Sequence, residues 1–394
     1  MSKKIMPFLA DATGGTSYKA YKYSLDNTDR PVIDYDGKTI TWLKLGETDT
    51  YRKGYTSLES RCRQLSERDD QIISYFLDGS RRVFKVDDIA YSLDGSSRTT
   101  IYPIIAGQIG IGCCQRVDRQ LHKERFKREI VLSVPDIANS DGKAGFFDAL
   151  ANKITRNCEE LQRRGLEITG IYPYKTIKDG KKLEDKGTAK VQDRMIQCEK
   201  DMVSELVSDG KLGQDNYLIK DGSLEYRPNR QDLADKQRYK RFKNNYKWVL
   251  GLSKSFNPEL CKDSSGNVNP GFIADLPIFS RTPVAKYDCS EQNDNQLGDI
   301  QFAVWYIRLR EQKWTRSPFD GVLKVEKILV TDDEIQHGID SDLVDTLSAY
   351  IINERMPTCY GSDLRWANHI YPVYLTESFV KSQYISEHSF LHLF

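Results

Sequence analysis

The chain has 394 residues, a formal charge of +1, 39% hydrophobic residues and 29% charged ones. That length allows one large domain or two ordinary ones with a sizeable core. The near-zero charge excludes a global basic field for nucleic acid, so any such affinity must come from local patches; no window approaches a membrane-spanning apolar length.

The opening stretch MSKKIMPFLADATGG has an apolar run too short for a secretory signal, and a cytoplasmic protein without a membrane partner is expected. Eight cysteines are scattered singly apart from Cys113-Cys114, with no C-x-x-C, a usage that suits reduced, mostly buried thiols rather than a zinc site.

In chain order, DRPVIDYDGKTITWLKLG reads as a short hairpin. TSLESRCRQLSERDD reads as a helix with Thr56 or Ser57 as N-cap. These two elements form an N-terminal extension, 1–65, ahead of a main domain, 66–394. QIISYFLDGS follows as a buried strand stopped by Asp-Gly, then VFKVDDIAYSLDG and TIYPIIAGQIGIGCC as strands joined through a turn at Asp94. RQLHKERFKRE carries Glu124 and Glu129 among its cations and reads as a surface helix with internal ion pairs. REIVLSVPD and GLEITGIYPYKTI are further strands. A long helix runs through KGTAKVQDRMIQCEKDMVSELVSDG and ends at Gly210; the strand NYLIKDG and a basic helix around RQDLADKQRYKRFKNNY come next. The last third gives strands in KWVLGLSKSF, IQFAVWYIRLR and GVLKVEKILV, then helices in DSDLVDTLSAYIINE and YPVYLTESFVKSQYISEH. The order predicts an α/β protein whose hairpins make the sheet mixed.

Asp-Gly-Ser occurs three times, at Asp78, Asp94 and Asp221. Asp-Gly between apolar runs is a common turn signal, and Asp94 fits a hairpin. Asp78 and Asp221 differ because of the helix between them. Met195, Met202 and Leu206 define an apolar stripe there, and Glu199 falls in its middle while Asp201 and Glu205 face away. A carboxylate facing a core is costly unless a cation or a donor meets it. A bound divalent ion explains all three acids at once; a buried salt bridge, for example to Arg194, is the ordinary alternative for Glu199.

An acid on the first core strand, one on a helix after an antiparallel excursion and one ending a later strand is the arrangement of ribonuclease H-like nucleases, whose acids hold Mg2+ or Mn2+ to activate a water for phosphodiester cleavage. YFLDGSRR, DRMIQCE, YLIKDGSL, WVLGLSKSF, FAVWYIRL, LKVEKI and YPVYLTES, in that order over about residues 70–385, resemble the successive motifs of the NurA nuclease family. The resemblance implies an α/β, ribonuclease H-like mixed sheet flanked by helices and Mn2+- or Mg2+-dependent DNA cleavage. It also implies a homodimer docked on a HerA-type hexameric ATPase that translocates DNA, in DNA-end processing or anti-phage defence. By position it makes Asp78, Glu199 and Asp221 metal ligands and Tyr371 the tyrosine of the closing YP motif. The family's histidine two turns later is replaced at about Phe379, which cannot ligate a metal; His369 or Glu377 are the nearby substitutes.

For DNA contact, Lys240, Arg241 and Lys243, with Lys236 and Arg238, interleave with Tyr239, Phe242 and Tyr246. Either the rings stack on bases while the cations meet phosphates, or the rings pack inward beneath a solvated face. Lys254 and Arg308 sit in strand-like contexts that end near the acids, where either neutralises the scissile phosphate or helps hold the acids; an edge or surface cation is the ordinary alternative. SEHSFLHLF is either a docking tail or a segment packed on its own domain. Beside the nuclease stand two other readings: a catalytically weak or inactive DNA-threading subunit, and an enzyme acting on RNA or hybrids.

Overall fold

The computed structural model describes residues 4–18, 22–26, 41–67, 71–92, 99–177, 179–224, 235–288, 300–315, 317–357 and 366–394. The described strands, in chain order, are β1 (Thr16–Tyr18), β2 (Tyr23–Ser24), β3 (Thr41–Leu45), β4 (Thr56–Ser57), β5 (Ile73–Ser92), β6 (Thr99–Val117) and β7 (Gln120–Pro135). They continue as β8 (Gly170–Tyr174), β9 (Tyr217–Asp221), β10 (Val249–Ser253), β11 (Ser280–Arg281), β12 (Ala285–Asp288), β13 (Gln301–Arg308) and β14 (Val322–Ile328). The helices are α1 (Ile5–Ala12), α2 (Glu59–Ser66), α3 (Phe146–Asn157), α4 (Glu159–Arg163), α5 (Leu183–Ser208) and α6 (Lys236–Asn245). After them come α7 (Gly271–Ala274), α8 (Asp332–His337), α9 (Ser341–Asn353), α10 (Tyr371–Ser382) and α11 (Glu387–Leu391).

All the strands join one mixed sheet whose main path is β3-β12-β13-β14-β10-β9-β5-β6-β7-β8. The protein is therefore α/β, with a large mixed sheet flanked by helices. At its centre β9 is parallel to both β5 and β10, while β6 and β14 run antiparallel outside them. Strand alternation sends Leu77 and Leu218 to one face, where Met202, Val203 and Leu206 of α5 cover them. It sends Phe76, Ile219 and Leu250 to the other, against Val344 and Leu347 of α9 and Val373 of α10. Each such side chain fully buried contributes about 1.5–3 kcal/mol.

Several expected elements take another form. β5 does not stop at Asp78-Gly79; its pairing with β6 continues through Asp78↔Gly112 and Gly79↔Ile111 to Ser92↔Thr99. A ladder on both sides of Asp-Gly outweighs a local turn preference. Asp94 lies outside the described residues. RQLHKERFKRE is a strand, the first half of β7, paired with β6 from Gln120↔Val117 to Glu129↔Ile109. One expected internal pair forms, Lys127 with Glu129 at 3.0 Å, while other charges pair outward, Arg125 with Glu205 at 3.1 Å and Lys211 with Glu124 at 3.1 Å. α2 forms, but Leu58 is its N-cap and no side chain caps it; Thr56 and Ser57 are β4 instead. Of the hairpin expected near the start, the first arm lies outside the described residues, and the second is β3, paired with β12.

Residues 1–65 contribute β1 and β2 to the edge of β5, β3 to β12 and β4 to β11. One buried ionic cluster ties this segment down. Arg281 has no exposed side-chain surface and donates to Glu47 Oε2 at 2.8 Å and to Asp345 Oδ1 at 2.5 Å. Arg52 meets the other oxygen of Asp345 at 2.8 Å. The terminal segment packs on its own chain: Phe390 is fully buried, with its ring 5.3 Å from that of Phe84. The six described cysteines are free and buried. Among the described residues no helix is long and apolar enough to cross a membrane.

Removing Arg281 would leave the buried Glu47 with no cation and Asp345 with Arg52 alone. Arg281→Ala is expected to lower stability by about 3–5 kcal/mol, read as a fall in the urea midpoint. A change below about 1 kcal/mol would show that the cluster does not hold the N-terminal strands in place.

Candidate active site

The short strand β9 sets the site. It ends where its partners continue: Leu77 pairs with Lys220, and Asp221 with Leu252. Gly222, at φ +81°, then turns the chain away. Asp78 and Asp221 are thereby level on adjacent strands, about 4.8 Å apart backbone to backbone. They lie at the carboxyl end of the parallel trio, where open α/β sheets place their ligands. The turn after Asp221 is pinned from both sides. Lys220 Nζ donates to the carbonyls of Asp221 and Ser223 at 3.1 and 3.3 Å, and Glu326 accepts from Ser223 Oγ at 2.9 Å and Leu224 N–H at 2.8 Å.

Lys254, just past β10, enters the same edge. Its ammonium is 3.0 Å from Asp221 Oδ2, 3.7 Å from Glu377 Oε2 and 3.4 Å from His369 Nδ1, and the side chain is only 9% exposed. Glu377 comes from α10, which lies close on the sheet because Gly110 and Gly112 of β6 leave room for Val380 and Phe379. Glu377 also receives Lys381 Nζ at 2.6 Å.

Glu199 is buried and faces the sheet, as its place in the α5 stripe predicts. It stands opposite Gly79, where a Cβ would overlap its Oε1. Since Asp78 and Gly79 point to opposite faces, Glu199 approaches from the face away from Asp78. Lys220 Nζ meets its Oε2 at 2.8 Å. The alternative of a buried salt bridge is therefore realised, but with Lys220; Arg194 holds Glu129 instead, at 2.6 Å. The three expected ligands thus do not make a single ligating group, and among the described residues no three of His, Cys, Asp or Glu do.

Burial first, and then the Asp221 and Glu377 charges, push the Asp78 carboxyl well above the ordinary carboxylate value. Its Oδ2 is buried with no hydrogen-bond partner. Burial also works against ionised Asp221 and Glu377, but Lys254 and the other nearby cations outweigh it and leave both below their ordinary values. Burial likewise opposes charge on Lys220 and Lys254, and the neighbouring carboxylates more than offset it, raising both.

The other expected site residues are scattered. Tyr371 opens α10 and is 43% exposed; its N–H donates to the Glu354 carbonyl. Phe379 packs edge-on against Phe126. Arg308 is not available to phosphate: it is 1% exposed and its guanidinium donates to the carbonyls of Leu276, Ile273, Ala274 and Pro318. On α6, Lys240 and Arg241 are exposed and Lys243 is half-buried, but Tyr239, Phe242 and Tyr246 are core residues, so those rings do not stack on bases. Lys254 is no edge cation but part of the acid cluster. Lys220 is a site residue that the sequence motifs do not single out. Its signal is a lysine inside the apolar run YLIKD, in phase with Leu218, and that phase aims it at the Glu199 stripe.

No family model and no curated protein sequence matches this chain. Among solved structures, the crystal structure of the NurA nuclease from Sulfolobus solfataricus is similar at 10% identity, covering 85% of this chain and 88% of that one, with a TM-score of 0.40. At that level the likeness decides neither fold nor activity, and the functional reading rests on the geometry of the site.

The sign of the Asp78 shift gives a stability test. The folded chain keeps the Asp78 proton to higher pH than the unfolded chain, so stability falls as pH rises from the unfolded value through the folded one. With divalent ions chelated, Asp78→Asn is expected to raise Tm near neutral pH by roughly 2 °C or more. The gain should shrink toward zero below about pH 4, where both chains hold the proton. Calorimetry across pH checks this; a lower Tm at neutral pH for the variant would contradict it.

Proposed function

We propose that this protein is a metal-dependent nuclease of ribonuclease H-like fold, hydrolysing DNA phosphodiesters. The observation that carries the reading is the pair Asp78–Asp221, level at the carboxyl end of parallel strands, with the buried Asp78 Oδ2 lacking any donor. The sheet order β7-β6-β5-β9-β10, with α5 packed on β5 and β6 and preceding β9, supports the fold assignment.

The residues fit a hard divalent cation. Such ions take carboxylate oxygens, and Mg2+ needs only one or two carboxylates besides water and substrate oxygens. Asp78 and Asp221 would hold Mg2+ or Mn2+. Bound there, the ion would supply Lewis-acid stabilisation of a phosphodiester's developing charge and lower the pKa of a water. The chain's own groups do the positioning: Lys254 fixes the Asp221 carboxylate, Glu326 and Lys220 fix the turn that follows it, and Lys220 fixes Glu199 across Gly79. Tyr371, exposed at the start of α10, would meet substrate rather than metal. Lys240, Arg241 and Lys243 offer cations to a DNA backbone through charge alone. A homodimer working with a HerA-type translocase in the cytoplasm, in end processing or defence, completes the reading. The near-neutral chain supports a partner that grips DNA for it.

The Lys220–Glu199 pair favours one second reading, a non-catalytic DNA-threading subunit in which Glu199 is a structural anion. Cleavage assays with Mn2+ or Mg2+ separate the two, using single-stranded DNA, duplex DNA, RNA and hybrids, with and without a matching ATPase. For a nuclease, Asp78→Asn and Asp221→Asn each lower the cleavage rate at least ~100-fold, about 2.7 kcal/mol of transition-state stabilisation. Gly79→Ala, which displaces Glu199, lowers it as well. Equal, metal-independent background in wild type and variants in every arm would leave the threading subunit; preference for RNA or hybrids would change the substrate class.

A further inference from the structure

We propose that Lys254 is a built-in second cation: the acid site takes one divalent metal ion, between Asp78 and Asp221, and the Lys254 ammonium stands in the place of a second. The inference rests on the metal-dependent reading and sharpens it. Two-metal phosphodiester sites clamp the reacting oxygens between two ions, and the charges of the carboxylates that hold them must be balanced. Here the balance is different. Asp78, Asp221, Glu377 and Glu199 bring four carboxylates, and Lys220 and Lys254 bring two buried ammonium groups ion-paired with them. The formal excess is two negative charges, which one divalent ion neutralises and two overshoot. Lys381, which also meets Glu377, is half exposed; water screens its charge, and it shifts the balance further away from a second ion.

Geometry separates the two ends of the cluster. The Lys254 ammonium reaches Asp221 and Glu377, and His369 Nδ1 lies 3.4 Å from it. Its backbone is fixed as well, because the Lys254 carbonyl accepts from Asn368 Nδ2 at 2.8 Å. Asp78 is 5% exposed, and its Oδ2, buried without a donor, is the end left for a metal ion. Glu377 Oε2 lacks a hydrogen bond too, but the Lys254 ammonium already faces it at 3.7 Å. A tethered ammonium cannot diffuse away, and no second metal ion can occupy its place while two carboxylates hold it.

Metal stoichiometry tests this on the full chain, stripped with chelator and titrated with Mn2+ by calorimetry, with free Mn2+ counted by electron paramagnetic resonance. Wild type is expected to bind one Mn2+ per chain. Lys254→Met, freeing Asp221 and Glu377, is expected to bind two, and Lys254→Arg to remain at one. Two ions in wild type would overturn the inference and leave the nuclease reading standing, as would a folded Lys254→Met that still binds one. No Mn2+ bound by wild type would overturn the metal-dependent reading itself, and the inference with it. The wild-type count decides even if Lys254→Met fails to fold.

Discussion

Four carboxylates sharing two buried ammonium groups is the constraint on which the rest of this sheet edge depends. Burying a carboxylate in low dielectric costs several kcal/mol unless a cation or donors meet it. Lys254 meets Asp221 and Glu377, and Lys220 meets Glu199. Asp78 has a buried oxygen that neither ammonium meets, and its carboxyl responds with a raised pKa. Two carboxylate oxygens thus lack a hydrogen bond, Asp78 Oδ2 and Glu377 Oε2, and the Lys254 ammonium faces the second at 3.7 Å.

The fold builds this imbalance from simple parts. β9 is five residues long between neighbours that continue past its end, so that end opens a notch in an otherwise continuous sheet. Gly79 lines the notch without a side chain, which lets Glu199 close on the backbone from the α5 face. On the opposite face α10 is drawn down onto β6 and carries Glu377 to Lys254. Acids from a central strand, a strand end and two helices on opposite faces thus reach one edge through backbone geometry rather than through neighbouring positions in the chain.

How much of this is legible in the residues depends on the reach of each signal. Asp221 ends an apolar run and does end a strand; Asp78 ends an apolar run and does not. Both are Asp-Gly-Ser, so the tripeptide cannot distinguish them; the partner strand β6 does. Glu199 is readable because a helical stripe fixes its phase. Tyr239, Phe242 and Tyr246, at i, i+3 and i+7, carry the same kind of signal for an inward face, and the cations between them mask it. The role of Arg308 has no local signature at all, since its acceptors are carbonyls of α7 and of loops, 10 to 35 residues away. The first half of β7 deceives for a related reason: its charges look like helical pairs until the long strand β6 supplies a ladder.

The same balance of charge bears on whether the site is chemical or structural. A structural salt-bridge cluster gains most when every charge is matched, and Arg281 with Glu47 and Asp345 in this chain shows what that looks like: each carboxylate is met by guanidinium donors. The Asp78 cluster departs from that pattern at two buried oxygens, Asp78 Oδ2 and Glu377 Oε2. Asn at position 78 would relieve the charge while keeping the shape, so a purely structural role gives no physical reason for a carboxyl there. Sites built for catalysis tolerate such local costs because an ion or substrate offsets them on binding. The contrast between a matched cluster and an unmatched one sets the edge at Asp78 and Asp221 apart from the other buried ion pairs described above.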